Sequence, residues 1–346
     1  MPVAIRPLTD EAKPAWDSFV DQHEKGTFFH RADWSSVLSK AFRHTALYAY
    51  AERDGAITGI LPLMHVKTAL FGNSLISSPF CVYGGPLCAD AESESALEAY
   101  VDGALERSGA DSVEYRLRDE PAGAQQGWDR KDDLYVTFRK PIERDEAANL
   151  NAIPRKQRAM VRKGMQRGLQ SKADLDVSTL HKIYAESVRN LGTPVFSRRY
   201  FQLLSDVFRD RMDVVTVLDG DRAVASVLNF YDRGEVIPYY GGGTALAREL
   251  AANDFMYWEV MRRAAPRGCT SFDFGRSKVG TGAYAFKKNW GFSPAPIYHR
   301  FKLKNGAKIP DHNPLNPKYR MLIAGWKRLP LPIANRLGPF IVRGVG

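Results

Sequence analysis

Long apolar runs are missing from this sequence, and so is a cysteine framework. No stretch approaches the ~18 consecutive apolar residues that mark a membrane-crossing helix. The start, Met1-Pro2-Val3-Ala4-Ile5-Arg6, holds no apolar segment of signal-peptide length. A cytoplasmic protein is expected. Three cysteines, Cys81, Cys88 and Cys269, give neither disulfide nor zinc-ligand spacing. That points to a reducing compartment and to no metal site. Histidines number only seven. His30, His181 and His299 lie in unrelated segments, and none pairs with a Ser or Cys nucleophile, which argues against triad-type covalent catalysis. Acids are absent from two long stretches, 147–173 and 313–346.

What is present fits a globular enzyme with an anionic partner. Hydrophobic residues at 44% and aromatics at 11% supply a sizeable core. A chain of 346 residues divides into two domains, because single cores rarely grow beyond about 250 residues. The net charge of +10 favours phosphates, nucleic acid or an acidic membrane surface.

The charge is clustered. Stretch 147–173 carries seven bases and no acid: Arg155, Lys156, Arg158, Arg162, Lys163, Arg167 and Lys172. A helix is expected after Pro154, and at 100° per residue Arg155, Arg158 and Arg162 share one face. A solvated face ordinarily mixes acids with bases to gain pairs one turn apart, so this one reads as anion-facing. Stretch 313–346 mixes Leu322, Ile323, Trp326, Leu337, Phe340 and Ile341 with Lys318, Arg320, Lys327, Arg328, Arg336 and Arg343. It is either an interfacial segment on an anionic membrane or a tail packed back onto the domain. Pro330 and Pro332 exclude one long helix.

The richest stretch chemically is 268–292, GCTSFDFGRSKVGTGAYAFKKNWGF. A buried strand through Phe272, Asp273 and Phe274 runs into a polar glycine loop, and a short helix with Tyr284, Lys287 and Lys288 follows. Arg276, Ser277, Lys278 and Thr281 suit a phosphate or carboxylate ligand, arginine being able to bind it with two parallel hydrogen bonds. Asp273 either accepts the proton of a reacting amine or caps the loop's N–H groups. Tyr284 is either a proton donor to a leaving group or a packing aromatic.

The two halves repeat one order of elements. Each has two amphipathic helices, then a strand, an Asp-Gly-centred turn and a return strand. A further strand reaches Tyr-Gly-Gly (Tyr83-Gly84-Gly85; Tyr240-Gly241-Gly242), and a long helix and another strand close the unit. This order resembles the Gcn5-related acetyltransferase (GNAT) fold, which implies an α/β (α+β) protein of two tandem GNAT domains, each a mixed sheet flanked by helices. The division expected is 1–145 and 176–308 for the two domains, 146–175 for a basic connecting helix, and 309–346 for the basic apolar tail.

One departure bears on the acyl donor. GNAT enzymes that use acyl-CoA carry R/Q-x-x-G-x-G/A before the long helix, where backbone N–H groups hold the pyrophosphate. Here that place reads Gly243-Thr244-Ala245-Leu246-Ala247-Arg248. Tandem GNAT domains with a degenerate CoA loop resemble the Fem-type aminoacyltransferases, and Phe286-Lys287-Lys288-Asn289-Trp290-Gly291 resembles that family's F-K-x-x-F-G motif. Three stretches, 190–196 (NLGTPVF), 238–243 (PYYGGG) and 272–277 (FDFGRS), are similar to FemAB-like proteins found with exosortase/PEP-CTERM systems and exopolysaccharide clusters.

The resemblance implies an N-acyl- or aminoacyltransferase that forms an amide on an amine of a cell-envelope precursor. The donor would be aminoacyl-tRNA, an acyl carrier protein or acyl-CoA, with no tightly bound cofactor. The acceptor would be a small-molecule or lipid-linked sugar, at the inner face of the membrane. It further implies that Lys287 neutralises charge on donor or acceptor and that Tyr240 sits where the acyl group binds. Tyr83, its counterpart in the first half, and the basic helix are expected to bind substrate. The long coiled-coil insertion used towards tRNA in some Fem enzymes has no counterpart here. DNA is not an expected partner, since no helix-turn-helix, RNP or zinc signature accompanies the basic helix.

Overall fold

A computed structural model describes residues 2–344 apart from 69–71, 122–126, 134, 305 and 310–316; at 317–320 it describes the backbone alone. The chain forms two compact units. One takes residues 1–134, 296–312 and 343–346; the other takes 135–295 and 313–342. This differs from the expected division, and the reason is strand exchange. Strand Tyr135–Pro141 pairs antiparallel with Ser271–Asp273 and so completes the second unit's sheet. Strand Tyr298–Leu303, the last among the described residues, pairs antiparallel with Ser112–Leu117 in the first unit. The basic helix is likewise part of the second unit rather than a connector.

The repeat of topology is present in both units. In the first, strand Gly72–Ser77 runs parallel to Ser112–Leu117, with helix Ala91–Ser108 as the crossover. In the second, strand Glu235–Gly243 runs parallel to Ser271–Asp273 with helix Ala252–Ala264 between them. Parallel strands need such a crossover helix because a tight turn cannot reverse their direction. The Tyr83-Gly84-Gly85 stretch, however, follows its strand as irregular chain.

The second unit's sheet is built on two long hydrophobic strands, Met212–Asp219 and Arg222–Asp232, joined through Gly220 in an antiparallel ladder. Both read as near-continuous buried runs of Val, Ala, Leu and Phe, the pattern of strands covered on both faces. Against this sheet packs a core of Val215, Val227, Met256, Trp258, Phe272 and Trp290, among others. Helix Arg155–Gln166 lies over the crossover helix, burying Gln157, Val161 and Gly164 at spacings of four and three. Its arginines are left on the other side.

Candidate functional site

The site of the second unit begins where strand pairing stops. Glu235–Gly243 is matched in parallel to Ser271–Asp273 only at Glu235–Ser271 and Val236–Phe272. Pro238, which has no N–H to give a ladder, sits just beyond the last pair. A bulge follows: Leu228 lies opposite Tyr240 and Asn229 opposite Pro238, which leaves Tyr239 as the extra residue. Past this point the two strands part, and the loop after Asp273 rejoins the sheet at Ser277–Lys278, which pairs antiparallel with Tyr135 and Val136.

Three side chains hold that loop. Asp273 is fully buried, and its Oδ1 accepts from Thr137 Oγ1 at 3.0 Å and from Gly275 N at 2.7 Å. Arg139 Nε lies 3.8 Å from its other oxygen. Thr281 caps helix Gly282–Asn289: its Oγ1 accepts from Tyr284 N at 3.3 Å and donates to Lys278 O at 2.8 Å. Lys287 Nζ donates to three carbonyls of the loop, Phe274 at 2.6 Å, Gly275 at 3.0 Å and Arg276 at 3.3 Å. Burial pulls its ammonium down to about 7, against the pull of Asp273 and with the help of Arg276.

The expected site residues therefore separate. Asp273, Thr281 and Lys287 shape the loop from beneath, so the capping alternative describes the contacts Asp273 makes. Lys287 spends its donors on the chain's own carbonyls, where the charge-neutralising role required it to face a ligand. Arg276 is half-buried with its guanidinium 4.7 Å from the Tyr135 ring centre. Lys278 and Ser277 are buried, and Ser277 Oγ meets no hydrogen-bond partner among the described residues. Tyr284 is half-buried, its ring edge-on to Phe138 at 5.4 Å, and Lys288 is exposed.

Two tyrosines differ from expectation. Tyr240 is buried, its hydroxyl 3.0 Å from that of Tyr200 within a cluster of Tyr184, Phe196 and Phe201. That packing keeps its ring in the core instead of on an acyl pocket; Tyr239, the bulged residue, is the more open one. Tyr83 in the first unit is buried to 1% and packs against Phe29 at 5.9 Å, a core position rather than a substrate contact.

The arginine face is as the helical spacing predicts. Arg155, Arg158 and Arg162 line, with Ala159 and Gln166, a groove of about 350 Å³. Arg158 Nη1 is steadied by Asn151 O at 3.0 Å and Asn151 Oδ1 at 3.1 Å. Arg155 and Arg162 are exposed and meet no carboxylate among the described residues.

Two residues that connect groove and loop were not singled out from sequence. Asp254 is buried on the crossover helix, and its Oδ1 accepts from Gln157 Nε2 and from Trp290 Nε1, each at 2.9 Å. One carboxylate oxygen thus joins the arginine helix to the F-K-x-x-W-G stretch. Its signal was an acid on an otherwise apolar stripe, Asp254, Trp258, Met261 and Ala265. Tyr257 packs between Phe274, Phe286 and Trp290. Its hydroxyl would lie 3.4 Å from a Cβ at Gly241, beside the parting strands, and burial pushes it up to about 12.

The glycine of the motif has its own reason. Gly291 holds φ +80, and a Cβ there would come 3.0 Å from the Pro154 ring at the start of the arginine helix. Asp254→Ala is expected to cost about 2 kcal/mol, because it strands two buried N–H donors. Asp254→Asn should cost less than half of that. Urea unfolding of both variants measures it, and equal midpoints would show that the shared acceptor is not what matters.

The turn that would hold a CoA pyrophosphate does not fit one. Ala245 N already donates to Glu186 Oε1 at 3.2 Å, and Thr244 N to Val224 O at 2.9 Å. Residues Ala247–Leu250 then form a single helical turn. A diphosphate would meet a carboxylate where it needs free N–H groups.

Residues 155–288 match the family model described as an acetyltransferase (GNAT) domain. Among solved structures the chain is similar to FemX, at 17% identity and a TM-score of 0.67 over 87% of this chain and 98% of that one. It is similar to the C-terminal domain of a putative lysylphosphatidylglycerol synthetase from Agrobacterium fabrum (13% identity, TM-score 0.54, 86% and 92% covered). It is also similar to a tandem GNAT protein from the clavulanic acid biosynthesis pathway (11%, TM-score 0.55, 88% and 100% covered). No curated protein matches the sequence. The fold is that of tandem GNAT proteins, and the match to the GNAT domain model lies within residues 155–288.

Proposed function

We propose that the chain is an N-acyl- or aminoacyltransferase that forms an amide on an amine of a diphosphate-bearing envelope or exopolysaccharide precursor, lipid-linked or nucleotide-linked. The observation that carries this reading is the acid-free face of Arg155, Arg158 and Arg162 along one groove of a GNAT domain. Two arginines without a carboxylate partner suit a diphosphate, whose oxygens each accept paired N–H bonds. The likeness to FemX and to a putative lysylphosphatidylglycerol synthetase favours an aminoacyl group as the cargo. Use in a PEP-CTERM/exosortase setting, at the inner face of the membrane, is the setting we infer for that acceptor.

In this reading the acceptor nitrogen attacks the donor's acyl carbon, a C–N bond forms, and the bond to the donor's oxygen or sulfur breaks. The proton lost by the amine goes to the departing group. The loop held by Asp273, Thr281 and Lys287 positions the reacting groups where the strands part. Tyr257 offers a hydroxyl beside that place, and Arg276 and Lys278 stand over the Tyr135 ring on the same loop. The donor we favour is aminoacyl-tRNA or an acyl carrier protein, since Glu186 occupies the N–H that a CoA pyrophosphate would take.

Mass spectrometry of envelope precursors from cells with and without the protein tests the proposal. A precursor that gains one acyl or aminoacyl mass only when the protein is present is the expected result. An unchanged precursor pool would sink it. Saturable binding of CoA by the purified chain would restore the reading of an acyl-CoA-dependent transferase on an amino sugar.

A further inference from the structure

Large apolar side chains at the surface are unevenly placed. Eight are exposed among the described residues, and five of these, Met321, Leu322, Ile333, Leu337 and Phe340, belong to the two helices Pro317–Arg328 and Leu331–Val342. A sixth, Leu191, precedes Gly192, where a Cβ would meet Ile323 at 2.5 Å. The six therefore gather around one pair of helices.

The second of these helices is packed in reverse of the usual pattern. Its buried stripe is small, with Ala334 and Gly338 one turn apart and Val342 below them. A Cβ at Gly338 would stand 2.8 Å from both the N and the O of Val195. Only a small residue permits that approach. Its outward stripe, Ile333, Leu337 and Phe340 at spacings of four and three, carries the bulk, and Arg336 lies within it. An amphipathic helix of a water-facing surface does the opposite.

The helices are also tied in place. Arg189 Nη1 donates to the terminal carbonyls Lys327 O at 3.3 Å and Leu329 O at 3.5 Å, a cationic cap of the kind favoured at helix ends. Leu331 packs against Ala185, Val188 and Val195. The tail thus packs onto the domain by one face and leaves the other apolar. Neither of the two alternatives read from sequence excludes the other.

Charge identifies the occupant of that face. Stretch 313–346 holds six bases and no acid, and Lys327, Arg328 and Arg336 are exposed. Apolar bulk set among cations without any anion complements an anionic bilayer, where stems and rings enter the interface and guanidinium groups meet headgroup phosphates. We propose that these two helices are a docking surface for an anionic lipid bilayer. The proposal is independent of the transferase reading, since it rests on no residue of the groove or the loop.

Sedimentation of the full chain with phosphatidylcholine vesicles, with and without phosphatidylglycerol, tests it. Binding is expected to vesicles that contain phosphatidylglycerol and to weaken in high salt. Ile333→Ser/Leu337→Ser/Phe340→Ser together should lower the partition coefficient by at least about tenfold. Arg336→Glu, which keeps the apolar stripe, should lower it severalfold on the anionic vesicles alone. Circular dichroism confirms the fold, and Arg336→Glu carries the test if the triple variant fails to fold. Equal binding to both vesicle types, no binding to either, or a wild-type dimer that the triple variant abolishes would each overturn the proposal. The last outcome would give the face to a second copy.

Discussion

Lys287→Met is expected to lower precursor modification by at least about 100-fold while the chain still folds, the loss being one of positioning. The ammonium holds the carbonyls of Phe274, Gly275 and Arg276, and methionine fills a similar volume without a donor. Three loop carbonyls then lose their partner, and the turn at 274–276, between Asp273 and the strand pair of Ser277–Lys278 with Tyr135 and Val136, loses the contact that fixes it. Hydrogen exchange should quicken within this loop, with strands Met212–Asp219 and Arg222–Asp232 unchanged. Retained activity together with quickened exchange would show that the loop is not where chemistry occurs.

The same variant has a pH signature. Burial lowers the Lys287 ammonium from its ordinary 10.5 to about 7. Between those values the unfolded chain binds a proton that the folded chain has released, so stability rises with pH across that window. In Lys287→Met this contribution is absent. The stability difference between wild type and variant, followed by urea unfolding from pH 6.5 to 9.5, roughly the span between the two values, should therefore shift in the wild type's favour as pH rises. A difference that is flat with pH would mean that the three carbonyls hold the lysine charged throughout.

Arg155→Glu/Arg162→Glu is expected to raise KM for a diphosphate-bearing acceptor by about 100-fold or more and to leave thermal stability within a few degrees. Both side chains are exposed, and the helix is held by the opposite face through Gln157, Val161 and Asp254. Charge-assisted bonds to phosphate contribute about 1.5–3 kcal/mol each, and the reversed charges add repulsion. Arg158 is the poorer choice, because its guanidinium also steadies Asn151. The salt dependence of KM should flatten in the variant, since fewer counterions are released on binding. An unchanged KM with a reduced kcat would place the precursor's diphosphate elsewhere.

Much of the site was legible as local pattern. The arginine face follows from helical angle alone, because a residue's direction around a helix depends only on its position along it. The loop's importance followed from the density of polar residues after a buried strand. Its roles did not. Asp273 and Lys287 are motif residues that turn inward to the loop's own backbone, and a composition cannot tell a donor aimed at a ligand from one aimed at a carbonyl. Tyr240 is buried beside Tyr200 rather than open. Its expected place came from the family resemblance, and that carries no information on which of two adjacent tyrosines a bulge at Tyr239 turns into the core.

Helix and strand identities, their order and the doubling of that order were decided by the sequence itself, since periods of 2 and 3.6 are properties of short segments. Tertiary structure decided which strand joins which sheet. Tyr135–Pro141 completes the second unit and Tyr298–Leu303 the first, against the division that chain order implies. A strand's pattern specifies which face is buried, while the N–H and C=O groups along its edge are the same for every partner. The choice among partners falls to side-chain packing over the whole sheet, and that information lies nowhere in the strand alone.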